Sequence, residues 1–164
     1  IKILFICHGN ICRSTLAQSV FTHKVASQGL SAHFLIDSAA TSTEEIWNGT
    51  GNPIYPPAQA ELRKHGIGKT PYTDFSEKRA KQVTKEDYRY YDYLLCADTA
   101  NIRNTIRITG ADTERKIRLL LDYTDRPGCS IADPWYSGNF EDTYRDVDAG
   151  CEGFLAYLKE KGAI

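Results

Sequence analysis

Cys7 and Arg13 stand six positions apart in the string Cys7-His8-Gly9-Asn10-Ile11-Cys12-Arg13-Ser14. A cysteine thiolate is a nucleophile, and an arginine presents a planar fork of donors matched to two oxygens of a tetrahedral oxyanion. Gly9 and Asn10 are the residue types that accept a positive φ, so the loop between can curl and turn successive backbone N–H groups inward as an anion-binding nest. An apolar, β-branched run ends at Cys7 and a helical pattern begins at Arg13, which sets the nest at the positive end of a helix dipole. A thiol at the base of such a nest is favoured in its ionised form. The chemistry that suits these parts is phosphoryl transfer to sulfur. Arg13 and the N–H groups of His8, Gly9, Asn10, Ile11, Cys12 and Ser14 then hold the equatorial oxygens.

Two plainer readings compete. A structural cysteine at a strand end followed by a surface arginine leaves a cation at the unfavourable end of a helix dipole unexplained. A zinc site from Cys7, His8 and Cys12 lacks a fourth ligand nearby and would neutralise the nest, so no metal or other cofactor is expected. A thiolate alone expels an alkoxide or phenolate poorly, so a proton donor is needed. Asp133, beside Pro134 in a long loop, is the candidate, although Asp-Pro is equally an ordinary turn initiator. Trp47, Trp135 and Tyr136 also fall in loops, where core packing explains large aromatics less easily.

The elements that must position these residues are legible as alternating strands and helices. Lys2–Cys7 reads as a buried strand and Arg13 to Gln28 as a helix stopped by Gly29. Phe34–Ile36 is a second strand, followed by a long loop from Thr41 to Pro57 rich in Gly and Pro. Ala58 to His65 reads as a helix closed by Gly66, and Thr84 with Asp87 resembles a capping box for a short helix through Tyr91. Tyr93–Cys96 and Ile117–Leu121 are the third and fourth strands, with a helix from Thr99 to Ile108 between them and a loop from Asp122 to Asn139 after. Phe140, Tyr144, Val147, Cys151, Phe154 and Leu158 recur at spacings of four and three, the stripe of a terminal amphipathic helix. This alternation predicts an α/β fold, a parallel sheet covered on both faces, with ligands beyond the carboxyl ends of the strands.

With 164 residues, one domain over 1–164 with a single core is expected. Twenty basic against twenty-one acidic residues leave a net charge of −1, no footprint for nucleic-acid backbones or anionic membranes. An anion must therefore be caught locally. The five cysteines are odd in number and lie partly in apolar runs, which predicts mostly reduced thiols and, with no signal-peptide or membrane-spanning pattern, a cytoplasmic protein.

The string CHGNICRS resembles the phosphate loop of the low-molecular-weight protein tyrosine phosphatases. The likeness continues through Asp37-Ser38-Ala39, the Trp47 loop, Lys64-His65-Gly66-Ile67, Gln82-Val83-Thr84-Lys85-Glu86-Asp87, Tyr91-Asp92-Tyr93 and Asp133-Pro134-Trp135-Tyr136. It implies a three-layer α/β/α fold with a four-stranded parallel sheet in the order 2-1-3-4 and the phosphate loop after the first strand. It implies a cysteinyl-phosphate enzyme acting on phosphotyrosine proteins, with Asp133 as general acid and base and phosphate or other oxyanions binding in the loop. Trp47, Trp135 and Tyr136 would wall a slot for a phenyl ring. Asn10, Ser38 and His65 would hold the loop in shape, Ser14 would bond the Cys7 sulfur, and Cys7 with Cys12 would close reversibly under peroxide.

Two residues depart from the family's pattern. Thr15 stands where Pro is usual, and His8 where many members are apolar. Ile11 stands where related phosphoarginine phosphatases carry Thr, which favours phosphotyrosine. The remaining rivals are an arsenate reductase, which needs a downstream cysteine pair, and a phosphocarrier, which needs neither Arg13 nor Asp133.

Overall fold

The computed structural model describes residues 1–164. Its central sheet holds β1 (Lys2–Cys7), β2 (Leu35–Ala40), β5 (Tyr93–Cys96) and β6 (Ile117–Leu119) in the order β2-β1-β5-β6, every pair parallel. Numbered among themselves these strands run 2-1-3-4, as expected. The two remaining strands, β3 (Ile46–Trp47) and β4 (Thr50–Gly51), form a separate small hairpin.

Because side chains alternate along a strand, β1 feeds two cores. Ile3, Phe5 and Cys7 face α1 (Arg13–Ser27) and α6 (Phe140–Glu160), where Leu16, Phe21, Val147 and Phe154 are buried. Leu4 and Ile6 face the other way, onto Val83, Tyr88 and Ile117, beneath α3 (Lys85–Tyr90) and α4 (Thr99–Thr109). That parity carries the Cys7 side chain to the α1 side of the sheet, where the helix begins. The α6 stripe is confirmed: Val147, Cys151, Phe154 and Leu158 have no exposed surface. Gly150 and Gly153 let α6 close on the 3-10 turn Leu120–Tyr123; a Cβ at Gly153 would lie 2.0 Å from the Tyr123 carbonyl oxygen.

Several boundaries differ from the sequence expectation. β2 runs four residues past Ile36, because Asp37 to Ala40 are small or polar yet pair with Leu4 to Cys7. The 41–57 loop contains the β3–β4 hairpin, and Pro56 opens α2 (Pro56–Lys64) instead of closing the loop. Proline suits a first helical turn, where its missing N–H is one that no helix carbonyl takes up. The fourth strand stops at Leu119 and continues as the 3-10 turn. The last long loop contains α5 (Pro134–Ser137). No helix is long and apolar enough to cross a membrane.

Candidate active site

Cys7 ends β1 and Arg13 begins α1, so the connecting residues must reverse direction within five positions. Asn10 makes this possible with φ of 61°, a conformation that Asn tolerates better than most residues. Its N–H is thereby aimed at the Cys7 Sγ, 3.3 Å away. α1 has no side-chain cap and no acidic residue in its first turn, so the N–H groups at its start have no carboxylate competitor.

A buried polar network locks this geometry. The Asn10 side-chain amide donates to Ser14 Oγ at 2.8 Å and to Ser38 Oγ at 2.9 Å, and its oxygen accepts from the Lys81 N–H at 3.2 Å. Ser14 Oγ lies 3.0 Å from Cys7 Sγ. Having accepted from Asn10, the Ser14 hydroxyl has one proton to give, and the sulfur is placed to take it. Ser38 in turn donates to Gln18 Oε1 at 2.5 Å. Lys78, which sequence reasoning missed, donates to the Ser38 carbonyl at 2.8 Å and to Asp37 at 3.0 Å. Burial pulls the Lys78 ammonium below its ordinary range against the opposing pull of Asp37. Burial also works against the Asp37 carboxylate, but Lys78 and Lys81 outweigh it and hold it below the usual carboxylate range.

Arg13 is 4% exposed. Its guanidinium donates to Asp98 at 2.6 Å, to the Ile131 carbonyl at 3.2 Å and to Asp133 at 3.4 Å. Burial disfavours this cation, yet Cys7, Asp98 and Asp133 outweigh the penalty and its pKa rises. Asp98 was absent from the sequence reading. It is the N-cap of α4, accepting from the Asn101 N–H at 2.8 Å, and it meets Arg13 because β5 lies beside β1. A carboxylate two residues beyond a strand and just before a helix was the available signal.

Cys7, Ile11, Arg13, Asp133, Trp135 and Tyr136 line one cavity of about 190 Å³. Asp133 caps α5 through a bond from the Trp135 N–H at 3.0 Å, leaving its second oxygen toward Arg13. Thr15, at the position where the resembled family usually carries Pro, bonds back to the Cys12 carbonyl at 2.9 Å and is fully buried, so the helix start is tied by a hydroxyl in place of a ring. Cys12 is a free thiol whose pKa burial, reinforced by Cys7 and Asp133, pushes up to about 12.

Two expected site residues lie elsewhere. Trp47 is 64% exposed and does not line the cavity; its indole N–H turns to the Glu44 carbonyl at 3.0 Å. The β3–β4 hairpin rotates the ring outward, and Glu44 and Glu45 form that wall instead. Glu44 reaches His8 across the rim at 3.0 Å. His65 does not touch the phosphate loop: it bonds Glu61 at 3.1 Å and stacks on Tyr144 with ring centres 3.7 Å apart. Asn10 and Ser38 bond at the loop directly, and Lys78 braces Asp37 and Ser38 on β2.

A nucleophile, a buried cation and a carboxylate thus converge on one small cavity beyond the carboxyl ends of the strands. Comparison with known proteins agrees with this geometry. The family model described as low molecular weight phosphotyrosine protein phosphatase matches residues 2–163. The phosphatase of that name from Mus musculus is 39% identical over 94% of this chain and 93% of its own length. The low molecular weight protein-tyrosine-phosphatase YfkJ of Bacillus subtilis is 35% identical over 98% of this chain and 97% of its own. The crystal structure of YfkJ superposes with a TM-score of 0.87, covering 98% of this chain and 96% of that one. The Streptococcus pyogenes enzyme SP-PTP superposes at 0.78 with 33% identity, over 96% and 92% of the two chains. On sequence, fold and site together, the chain belongs to the low molecular weight phosphotyrosine protein phosphatase family.

Proposed function

We propose that this protein hydrolyses phosphotyrosine in proteins through a phosphoryl-Cys7 intermediate, acting as one catalytic domain over residues 1–164. The observation that carries the reading is the meeting of Cys7 and Arg13, the two ends of one loop, with Asp133 from a distant part of the chain around one cavity. In the first half-reaction the Cys7 sulfur attacks phosphorus while the ester P–O bond breaks, and Asp133 gives its proton to the departing phenolic oxygen. The loop N–H groups and Arg13 share the charge of the three equatorial oxygens. In the second, Asp133 takes a proton from water as that water attacks phosphorus and the S–P bond breaks. The Ser14 hydroxyl, 3.0 Å from the sulfur, stabilises the thiolate that leaves.

The positive charge comes from Arg13 and backbone donors, so the mechanism calls on no metal. Ile11, Trp135 and Tyr136 offer apolar walls to an aryl group, which supports phosphotyrosine over the shorter phosphoserine. Neither Cys96, Cys129 nor Cys151 lines the cavity, which disfavours arsenate reduction by a cysteine relay. A carrier that only accepts phosphate has no use for Asp133. Four of the five thiols are buried and all five are free, which fits a reducing cytoplasm. Under peroxide, Cys7 and Cys12 close to a disulfide that protects the nucleophile.

The test is to compare hydrolysis of phosphotyrosine, phosphoserine and phosphoarginine peptides with a chelator present, for the wild type and Cys7→Ser. Phosphotyrosine turnover that survives the chelator and disappears in Cys7→Ser is expected. Retained activity in Cys7→Ser, or preference for phosphoarginine, contradicts the reading.

A further inference from the structure

Tyr55 lies where the phosphate loop and the Asp133 segment meet. Its backbone N–H donates to the Ile11 carbonyl at 2.9 Å, tying the residue before α2 to the loop. Its ring stands edge-on to Trp135, with centres 5.1 Å apart and planes at 84°. On its other side it stacks with Phe140, the first residue of α6, at 6.0 Å and 17°. Edge-to-face and offset stacking are the arrangements aromatic rings prefer. Tyr55 is not among the residues lining the cavity, so its route to the site is through the residues it contacts.

Upstream of Asp133 the chain is anchored, with Ile131 buried, its N–H bonded to the Ala97 carbonyl at 2.8 Å, and the Ala132 carbonyl accepting from the Thr143 hydroxyl at 3.1 Å; beyond Asp133 the anchors are fewer. α5 is four residues long, and a helix so short is not stable by itself in water. Of its residues only Pro134 is buried; Trp135 is 58% exposed and Tyr136 87%. Gly138 ends it in a left-handed conformation with φ of 70°. The Asp133 carboxylate is bound to this turn by the Trp135 N–H, so wherever Trp135 goes the carboxylate follows. Alongside the buried Pro134 and the Arg13–Asp133 bond, the Trp135–Tyr55–Phe140 stack is the aromatic contact that ties the turn to the loop holding Cys7.

We propose that Tyr55 is a positioning residue for the proton donor: its ring holds Trp135, and through it Asp133, at a set distance from the phosphate loop to which its backbone is bonded. This rests on the reading of Asp133 as the general acid. Proton delivery matters most when the departing phenol is basic, so a donor that wanders penalises poor leaving groups selectively. Loss of phosphate-loop structure, by contrast, penalises every substrate alike.

The experiment measures kcat/KM, which covers all steps through departure of the phenol, for aryl phosphates of increasing phenol basicity. For Tyr55→Leu the smallest loss is expected with p-nitrophenyl phosphate, and a loss of roughly tenfold or more with phenyl phosphate and a phosphotyrosine peptide. Inhibition by inorganic phosphate should stay near the wild-type value, and Tyr55→Phe, which keeps the ring, should restore the wild-type slope. In an Asp133→Ala background, Tyr55→Leu should add no further loss. Should Tyr55→Leu fold poorly, Phe140→Leu removes the other half of the stack and should steepen the dependence on the leaving group in the same way. Equal loss for all leaving groups, an undiminished loss in the Asp133→Ala background, or Tyr55→Phe as impaired as Tyr55→Leu overturns the inference. If Asp133→Ala itself shows no dependence on the leaving group, the assignment of Asp133 as acid is overturned first and the role of Tyr55 falls with it.

Discussion

Replacing Asp98 by Asn separates the two tasks of one carboxylate. One oxygen accepts from the Asn101 N–H at 2.8 Å and caps α4; the other accepts from Arg13 at 2.6 Å. Asn caps helices about as well as Asp, so the helix loses little. The Arg13 bond is another matter. The amide presents either a neutral oxygen or an N–H group to a guanidinium that is 4% exposed and retains only the Ile131 carbonyl on that nitrogen. A hydrogen bond to a charged group contributes about 1.5–3 kcal/mol, which at 1.36 kcal/mol per factor of ten corresponds to about 10- to 150-fold. Because the guanidinium must match oxygens that flatten only in the transition state, the loss should fall on kcat/KM with a phosphotyrosine peptide. Thermal melting should move by only a few degrees. Asp98→Ala, which also removes the cap, should lose about 1 kcal/mol more stability at similar activity. If Asp98→Asn keeps kcat/KM within about twofold of the wild type, Arg13 is held in place by something other than this pair, and the reasoning from charge-assisted bonding is wrong.

Asp133→Asn should lower kcat/KM for aryl phosphates by about 100-fold or more while leaving phosphate affinity similar, measured by inhibition constants. Peroxide should inactivate the enzyme reversibly, oxidising Cys7 to the sulfenic acid, which the Cys12 thiol then attacks with release of water; Cys12→Ser should turn the loss irreversible to dithiothreitol. Since Cys12 ionises only near 12, its thiolate fraction and so the rate of disulfide closure should rise with pH through the neutral range, which mass spectrometry of quenched samples can follow. Asp37→Asn leaves the largely buried Lys78 without its carboxylate and should cost about 1–3 kcal/mol at pH 7 in urea unfolding. Asp37 ionises more easily folded than unfolded, so its contribution is present above the ordinary carboxylate range. The gap between the two proteins should close as pH falls through and below that range.

What could be read from the sequence follows distance along the chain. The Cys7 loop was legible because its strand, its left-handed Asn10 and its helix start lie within a few residues, where local backbone rules apply. α6 was legible because a stripe of period 3.6 needs no partner to be seen. Asp133 was singled out by its Asp-Pro turn and by resemblance; only the fold brings it within 3.4 Å of Arg13. Asp98, Lys78 and Tyr55 were not visible, since Asp98 reaches the site from the strand beside β1, Lys78 from the stretch between α2 and α3, and Tyr55 from the start of α2, contacts that only the fold makes. The tail of β2 was missed because Asp37-Ser38-Ala39-Ala40 has no β-branched or aromatic residue; its extended form is imposed by pairing with β1. Trp47 and His65 show the converse. The family resemblance implied a slot wall and a loop support, but the turn of the β3–β4 hairpin and the packing of α2 on α6 send them elsewhere.

The central claim is that phosphorus becomes bonded to the Cys7 sulfur during turnover. Asp133→Ala offers the way to see it, because the variant still accepts a phosphoryl group from p-nitrophenyl phosphate, whose phenolate leaves readily, but lacks the base that activates water in the second step. Acid quenching within the first turnover, followed by peptide mass spectrometry, should find one phosphoryl group on the peptide carrying Cys7, at the sulfur, and none in Asp133→Ala with Cys7→Ser. A phosphoryl group on His8 or any other residue, or steady turnover in Cys7→Ser, contradicts the account.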